Sequence, residues 1–217
     1  MKSPPALKKP GRPADPEHCA RRREDILEAA VTQFARHGFA DTDLQNIADT
    51  VRIGKGTIYR YFPSKRELFL AAADQIMRKL RKEIDTKIAG IDDPLKRIQR
   101  GIRAFLGFFE DRPEYVELLI QERANFKDRK KPTYYEHVEV NVERWRTVYR
   151  ELIADGRVRP IPVERITDVV SDLLYGTIFT NYFSGRRKSL EAQAQHIVDV
   201  VFFGILSAPE RARHEAR

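Results

Sequence analysis

Apolar positions along this chain recur at steps of three and four residues almost from end to end. No stretch alternates with the period of two that a half-buried strand requires. Ile26, Leu27, Ala30, Val31 and Phe34 form one stripe between Arg21 and His37, with Gly38 placed for a left-handed cap and Phe39 able to fold back onto Phe34. Leu44, Ile47, Ala48 and Val51 form a second, shorter stripe behind Asp43, a good N-cap. After a turn at Arg52 and Ile53, Ile58 and Phe62 lie four apart and define a third helix, which Pro63 stops. Ser64-Lys65-Arg66-Glu67 reads as a capping box. Leu68, Ala72, Ile76, Leu80, Ile84 and Ile88 then follow at four-residue steps, which predicts one long helix.

Asp92-Asp93-Pro94 starts the next helix, whose inner face carries Leu95, Ile98, Ile102, Phe105, Leu106 and Phe109. Further helices are predicted from Pro113 to about Arg123, Thr133 to Asp155, Val163 to Phe183 and Ser189 to Ser207, the last two joined at Ser184-Gly185. The final one is apolar nearly all round, through Ile197, Val198, Val200, Val201, Phe202, Phe203, Ile205 and Leu206. One face on its own core does not account for it, so a partner is expected on the other. The pattern divides the chain into a disordered basic arm (1–20), a first helical unit (21–67), a larger second unit (68–208) and a polar tail (209–217) behind Pro209.

The short pair of helices with its tight turn is a helix-turn-helix. Its outward residues Lys55, Gly56, Thr57, Tyr59, Arg60 and Tyr61, with Lys65 just beyond, supply cationic heads, hydroxyls and a bare backbone position. Those are the groups that meet phosphates and base edges in a major groove. From Gly38 to Leu68 the spacing resembles the DNA-binding domain of TetR-family transcriptional regulators. Gly38, Phe39, Thr42, Leu44, Ile47, Ala48, Val51, Ile53, Gly56, Thr57, Ile58, Tyr59, Tyr61, Phe62, Ser64, Lys65 and Leu68 match identically or conservatively. Three positions depart: Asp43 stands for a hydroxyl residue, Arg52 for the turn glycine and Gly54 for the serine that usually caps the second helix.

The resemblance implies an all-α fold in which an N-terminal three-helix, helix-turn-helix DNA-binding domain is joined by a long helix to a C-terminal helical ligand-binding and dimerisation domain. It implies a homodimer on a double-stranded DNA operator, most simply a repressor released by a small-molecule effector. A ligand-independent regulator or an activator on the same fold is the alternative. On this reading Leu173, Gly176, Ile197, Val201, Phe202 and Ile205 face the second subunit, with Gly176 and Gly204 allowing close helix approach. Phe105, Phe109, Asn141, Trp145, Tyr149, Tyr175 and Phe179 fall on inward stripes of the second unit and are the candidate pocket residues, although aromatics at helical spacing also serve as ordinary core.

A formal net charge of +8 over 217 residues fits a polyanionic partner. Pro10-Gly11-Arg12-Pro13 resembles the core of a minor-groove hook but has proline where an arginine is expected, so groove contact and a solvated tail both stay open. Arg21-Arg22-Arg23 is equally readable as a phosphate contact or a solvated cluster. Cys19 is the only cysteine, which excludes an intramolecular disulfide or a Cys-rich zinc site and fits a reducing cytoplasm. No apolar run approaches the ~20 residues of a membrane helix, and the N-terminus lacks a signal peptide's apolar core. The five histidines lie apart from metal-ligand spacing. Gly54-Lys55-Gly56-Thr57 lacks the gap of a phosphate loop, and no nucleophile elbow occurs. Neither metal, cofactor nor enzyme activity is expected.

Overall fold

Asp15 accepts a hydrogen bond from the Glu17 N–H at 3.1 Å and Pro16 occupies the first turn. Helix α1 (Pro16–Asp41) therefore starts ahead of the expected Arg21, and residues 16–20 belong to it rather than to a disordered arm. The computed structural model describes residues 15–185 and 189–204, so the proline-rich segment and the polar tail lie outside the described residues. After α1 come α2 (Leu44–Thr50), α3 (Lys55–Tyr61), α4 (Lys65–Ile88), α5 (Pro94–Glu110), α6 (Pro113–Asn125), α7 (Thr133–Ala154), α8 (Val163–Ser184) and α9 (Leu190–Phe203). The expected all-helical architecture is the one observed.

The arginine triplet now sits a turn inside α1, and two of its members brace the helices that follow. Arg22 donates to the Val51 carbonyl at 3.2 Å, closing the end of α2, and the Arg23 guanidinium lies 5.1 Å from the centre of the Phe62 ring. At its far end α1 breaks at Gly38, whose φ of 79° is open to glycine at no steric cost. The break turns Phe39 inward, 6.0 Å from the Phe34 ring, 5.6 Å from Phe69 and 4.9 Å from Phe126. Phe126 lies in a charged stretch that carries no helical stripe. It is nonetheless buried, and it joins the core of the first unit to that of the second.

Caps set the register of the larger unit. Ser64 accepts from the Glu67 N–H at 3.1 Å to open α4, and Asp93 accepts from the Leu95 and Lys96 N–H groups at 2.8 and 3.2 Å to open α5. The start of α7 depends on a buried charge. Glu122, 1% exposed near the end of α6, accepts at one carboxylate oxygen from both the N–H and the hydroxyl of Thr133, each at 2.9 Å, and from Arg129. Arg129 also reaches Glu136 at 2.8 Å, so the connection between α6 and α7 is tied on both sides. A buried carboxylate persists only when paired and hydrogen-bonded in this way.

Two expectations for the last helix change. α9 ends at Phe203 rather than Ser207, because Gly204 adopts a φ of 71° and caps it, so Gly204 is a terminator and not a point of helix approach. The helix also has two distinct faces: Ala194, Ile197 and Val198 are buried against the same subunit, chiefly α5, while Val200 and Phe203 are exposed, Phe203 at 65%. Ile197 thus belongs to the subunit core, and Ile205 lies outside the described residues.

Removing the Phe126 ring should leave a cavity against two other aromatic rings, Phe39 and Phe69. Phe126→Ala is expected to lower the unfolding free energy by about 3–5 kcal/mol, read from urea denaturation. A loss below about 1 kcal/mol would show that the two units do not depend on this junction.

Candidate nucleic-acid interface and linked cavity

The helix-turn-helix is built from α2, a tight turn and α3. Asp43 caps α2 by accepting from the Gln45 N–H at 2.9 Å. In the turn the Ile53 N–H bonds to the Ala48 carbonyl at 2.9 Å and the Arg52 N–H to that of Asp49 at 3.1 Å, the paired bonds of a Schellman cap. The residue at the centre of that cap must be left-handed, and Arg52 has a φ of 54°, the one positive value among the described non-glycine residues. The end of α7 makes the same cap around Gly156, with φ 70° and bonds from Arg157 to Leu152 at 2.9 Å and from Gly156 to Ile153 at 3.0 Å. The departure from the family's turn glycine therefore leaves the backbone requirement unchanged and places a side chain in it.

Helix α3 is anchored by fully buried Ile58, followed by buried Phe62 at its end. Tyr59, 46% exposed, and Arg60 point to solvent. Gly56 is exposed, has no positive φ, and a Cβ there would meet nothing within 4 Å. The fold does not require glycine at that position, and its bare backbone is open to close approach. Thr57 is half-buried, its N–H bonded to the Gly54 carbonyl at 2.7 Å, while Gly54 caps α3 with no side chain.

The remaining three candidates have partners within the protein. Lys55 Nζ donates to Asp43 Oδ1 at 2.8 Å. The Gln45 N–H and then Lys55 hold the Asp43 carboxyl below its ordinary range, and Asp43 in turn raises the Lys55 ammonium. Lys65 Nζ donates to the Ala40 carbonyl at 2.8 Å and lies 5.1 Å from the centre of the Phe39 ring, and desolvation lowers its pKa. An ammonium has three donors, so bonding to one carbonyl leaves two for a phosphate. Tyr61 leans on α1, where desolvation first and a bond with Cys19 second raise its hydroxyl. The freely presented set is Gly56, Tyr59 and Arg60.

Between α4, α5, α7 and α8 lies a cavity of about 150 Å³ that opens to solvent. Of the expected pocket residues, Phe105, Asn141, Trp145 and Tyr149 line it. Phe109 lines a separate recess with Leu106, Val116 and Ile178. Tyr175 packs 4.5 Å from Tyr134 and 4.2 Å from Phe179, and it lines a different recess with Tyr134 and Tyr135, while Phe179 is not among the residues lining the cavity. Lining residues that the stripes did not single out include Met77, Arg81, His137 and Arg144, together with Gly101, where a Cβ would meet Trp145 Cη2 at 3.0 Å. Asn141 donates to the His137 carbonyl at 2.6 Å, while its Oδ1 and the Tyr149 hydroxyl are buried with no partner. Burial pushes that hydroxyl up to about 12.

On the outer face of α8, exposed Val169, half-buried Leu173, exposed Gly176 and exposed Phe183 fall on one helical stripe, the last 70% exposed. The nearby expected residues Val201 and Phe202 are half-buried and pack onto the subunit's own core.

The strain at Arg52 has a measurable consequence. Arg52→Gly is expected to stabilise the protein by about 1 kcal/mol, since a left-handed non-glycine residue costs roughly that much. Thermal unfolding should show a raised midpoint, and a lowered one would mean that the arginine side chain contributes more than the backbone loses.

Residues 26–72, which include α2, α3 and the start of α4, match the sequence profile of the bacterial regulatory proteins of the tetR family. A transcriptional repressor from Streptomyces coelicolor, SCO4008, is 32% identical over 74% of this chain and 75% of its own. The repressor KstR2 of Mycolicibacterium smegmatis is 26% identical over 89% of this chain and 95% of its own. The transcriptional regulator FadR from Bacillus subtilis, solved in complex with stearoyl-CoA, superposes with a TM-score of 0.70 at 15% identity over 84% of this chain and 99% of its own. On the match over residues 26–72 and the 32% identity to SCO4008 over 74% of this chain, the chain belongs to the tetR family of bacterial transcriptional regulators.

Proposed function

We propose that the protein is a homodimeric repressor that grips an operator through two copies of the α2–α3 unit and leaves it when a small molecule fills the cavity. The observation that carries this reading is the reach of α4. Its first residue, Lys65, sits beside the recognition helix, while Met77, Leu80, Arg81 and Ile84 of the same helix form one wall of the cavity. The repressor names of the Streptomyces and Mycolicibacterium relatives favour repression over activation. Exposed apolar side chains on α8 and α9 support a second copy as the covering partner, since a symmetric dimer buries the same patch twice.

A ligand releases DNA only by binding more tightly to a conformation in which the two recognition helices no longer match their half-sites. A coupling of about 1–3 kcal/mol is ordinary for such a switch, and operator DNA must then weaken ligand binding by the same factor. Sequencing the genomic fragments retained by the full-length protein would supply the operator, and gel shifts on it then test each part. Release by no compound that enters the cavity would leave a ligand-independent regulator.

Arg60→Ala should cost about 1–3 kcal/mol of operator binding and relax preference at particular positions, as expected for a contact to base edges. Lys65→Ala should weaken all sequences alike and reduce the salt slope by about one unit. A uniform loss in the first, or an unchanged slope in the second, would reassign those side chains.

Because Val201 and Phe202 pack inward, the interface is tested at Phe203, which is exposed in the single chain. Phe203→Glu should leave the fold intact by circular dichroism, split the dimer in sedimentation and abolish tight operator binding. An unchanged dimer would move the interface elsewhere.

A further inference from the structure

The wall of the cavity is charged with one sign. Arg81 and Arg144 line it, and no aspartate or glutamate does so among the described residues. Both arginines turn to one carboxylate outside the lining, Asp85: Arg144 bonds to its Oδ1, and Arg81 Nε lies 3.8 Å from its Oδ2. Two guanidinium groups sharing one carboxylate leave a unit of positive charge uncompensated, and Arg144 is further fixed by stacking 5.0 Å from the centre of the Trp145 ring. The other nearby acid, Asp74, is engaged by Arg78 and by His137 at 2.8 Å. A cationic guest would find no counter-ion here, and an anion would find one.

Away from the arginines the wall is apolar, through Met77, Leu80, Ile84, Ile98, Ile102 and Phe105. Polar residues interrupt it, His137, Asn141 and Tyr149 from α7 and Thr167 and Ser171 from α8, and among them Tyr149 Oη and Asn141 Oδ1 have no partner. They lie eight residues apart on one helix, so about 12 Å separates their Cα atoms along its axis. Both residues line the cavity while these two atoms lie buried behind its surface, so a guest that draws the side chains inward can supply the missing partners. The raised tyrosine pKa keeps its hydroxyl protonated and uncharged.

We infer that the effector is an amphipathic anion: an apolar body seated between α4, α5, α7 and α8, an anionic group held by Arg81 and Arg144, and an uncharged polar group, a hydroxyl being the simplest, opposite Tyr149 or Asn141. This rests on the effector reading above and assigns the chemistry of that site.

Trp145 is the only tryptophan of the chain and lines the cavity, so its fluorescence reports occupancy without DNA. The full-length protein is titrated with dodecanoate, 1-dodecanol and dodecyltrimethylammonium, each below its micelle concentration. Saturable quenching by dodecanoate is expected, roughly 10-fold weaker binding of the alcohol, and none of the cation. Arg81→Gln should erase the advantage of acid over alcohol while leaving the alcohol unchanged. 12-Hydroxydodecanoate should bind more tightly than dodecanoate, and Tyr149→Phe, which removes only a hydroxyl without a partner and should melt no lower than the parent, should reduce that gain. Equal binding of acid and alcohol, binding of the cation as tight as that of the acid, or no saturable quenching by any of them would overturn the assignment. Quenching by dodecanoate without release of operator DNA would instead refute the effector reading and leave the ligand chemistry standing.

Discussion

Four phenylalanine rings decide whether this molecule behaves as one body or two. Phe34 and Phe39 come from α1, Phe69 from α4 and Phe126 from the connection between α6 and α7, with centroids 4.9 to 6.0 Å apart along the cluster. Each such pair contributes about 0.5–1.5 kcal/mol beyond the area it buries. Two cations seal the edge: Lys65 sits over Phe39, and Arg66 lies 4.9 Å from the centre of Phe126 and pairs with Asp128. The start of α4 is thereby held by rings from both units. One turn of helix before Phe126, Glu122 fastens α6 to the first residue of α7, a helix that lines the cavity. A contiguous path of packing and charged hydrogen bonds thus runs from the cavity wall to the start of α4, alongside the more obvious one along α4 itself.

The cavity wall leaves two polar groups unsatisfied. An unpartnered buried hydroxyl or amide oxygen costs about 1–3 kcal/mol, and Tyr149 and Asn141 each leave one. The helix-turn-helix shows the opposite logic, with Ile26, Ile47, Ile58, Leu68 and Phe69 essentially inaccessible and the caps made. Packing is tight around the DNA-binding helices and less complete around the cavity.

Much of this was legible in the sequence, and what was not has physical reasons. Periodicity located all nine described helices, and Asp43, Ser64 and Asp93 cap where their neighbours said they would. The start at Pro16 and the end at Phe203 were missed because Asp15 and Gly204 act through local backbone geometry that an apolar stripe does not register. Phe126 is a lone aromatic in a charged run, and no stripe marks it as buried. Stripes also say which way a side chain faces within its helix, and not what waits there. Phe105 and Phe109 share a stripe, yet one lines the cavity and the other a different recess. Ile197 and Val200 lie on one short helix, yet only the first meets its own subunit.

Asp43, where the family pattern has a hydroxyl residue, has an effect beyond capping. Its carboxylate keeps Lys55, the first residue of the recognition helix, engaged within the protein. Asp43 takes one of the three donors of that ammonium and offsets its charge, so arbitrary DNA would gain less from Lys55 than from a free ammonium. Weaker grip on arbitrary DNA means shorter pauses between hops, and a protein that pauses less sweeps more of the chromosome in a given time.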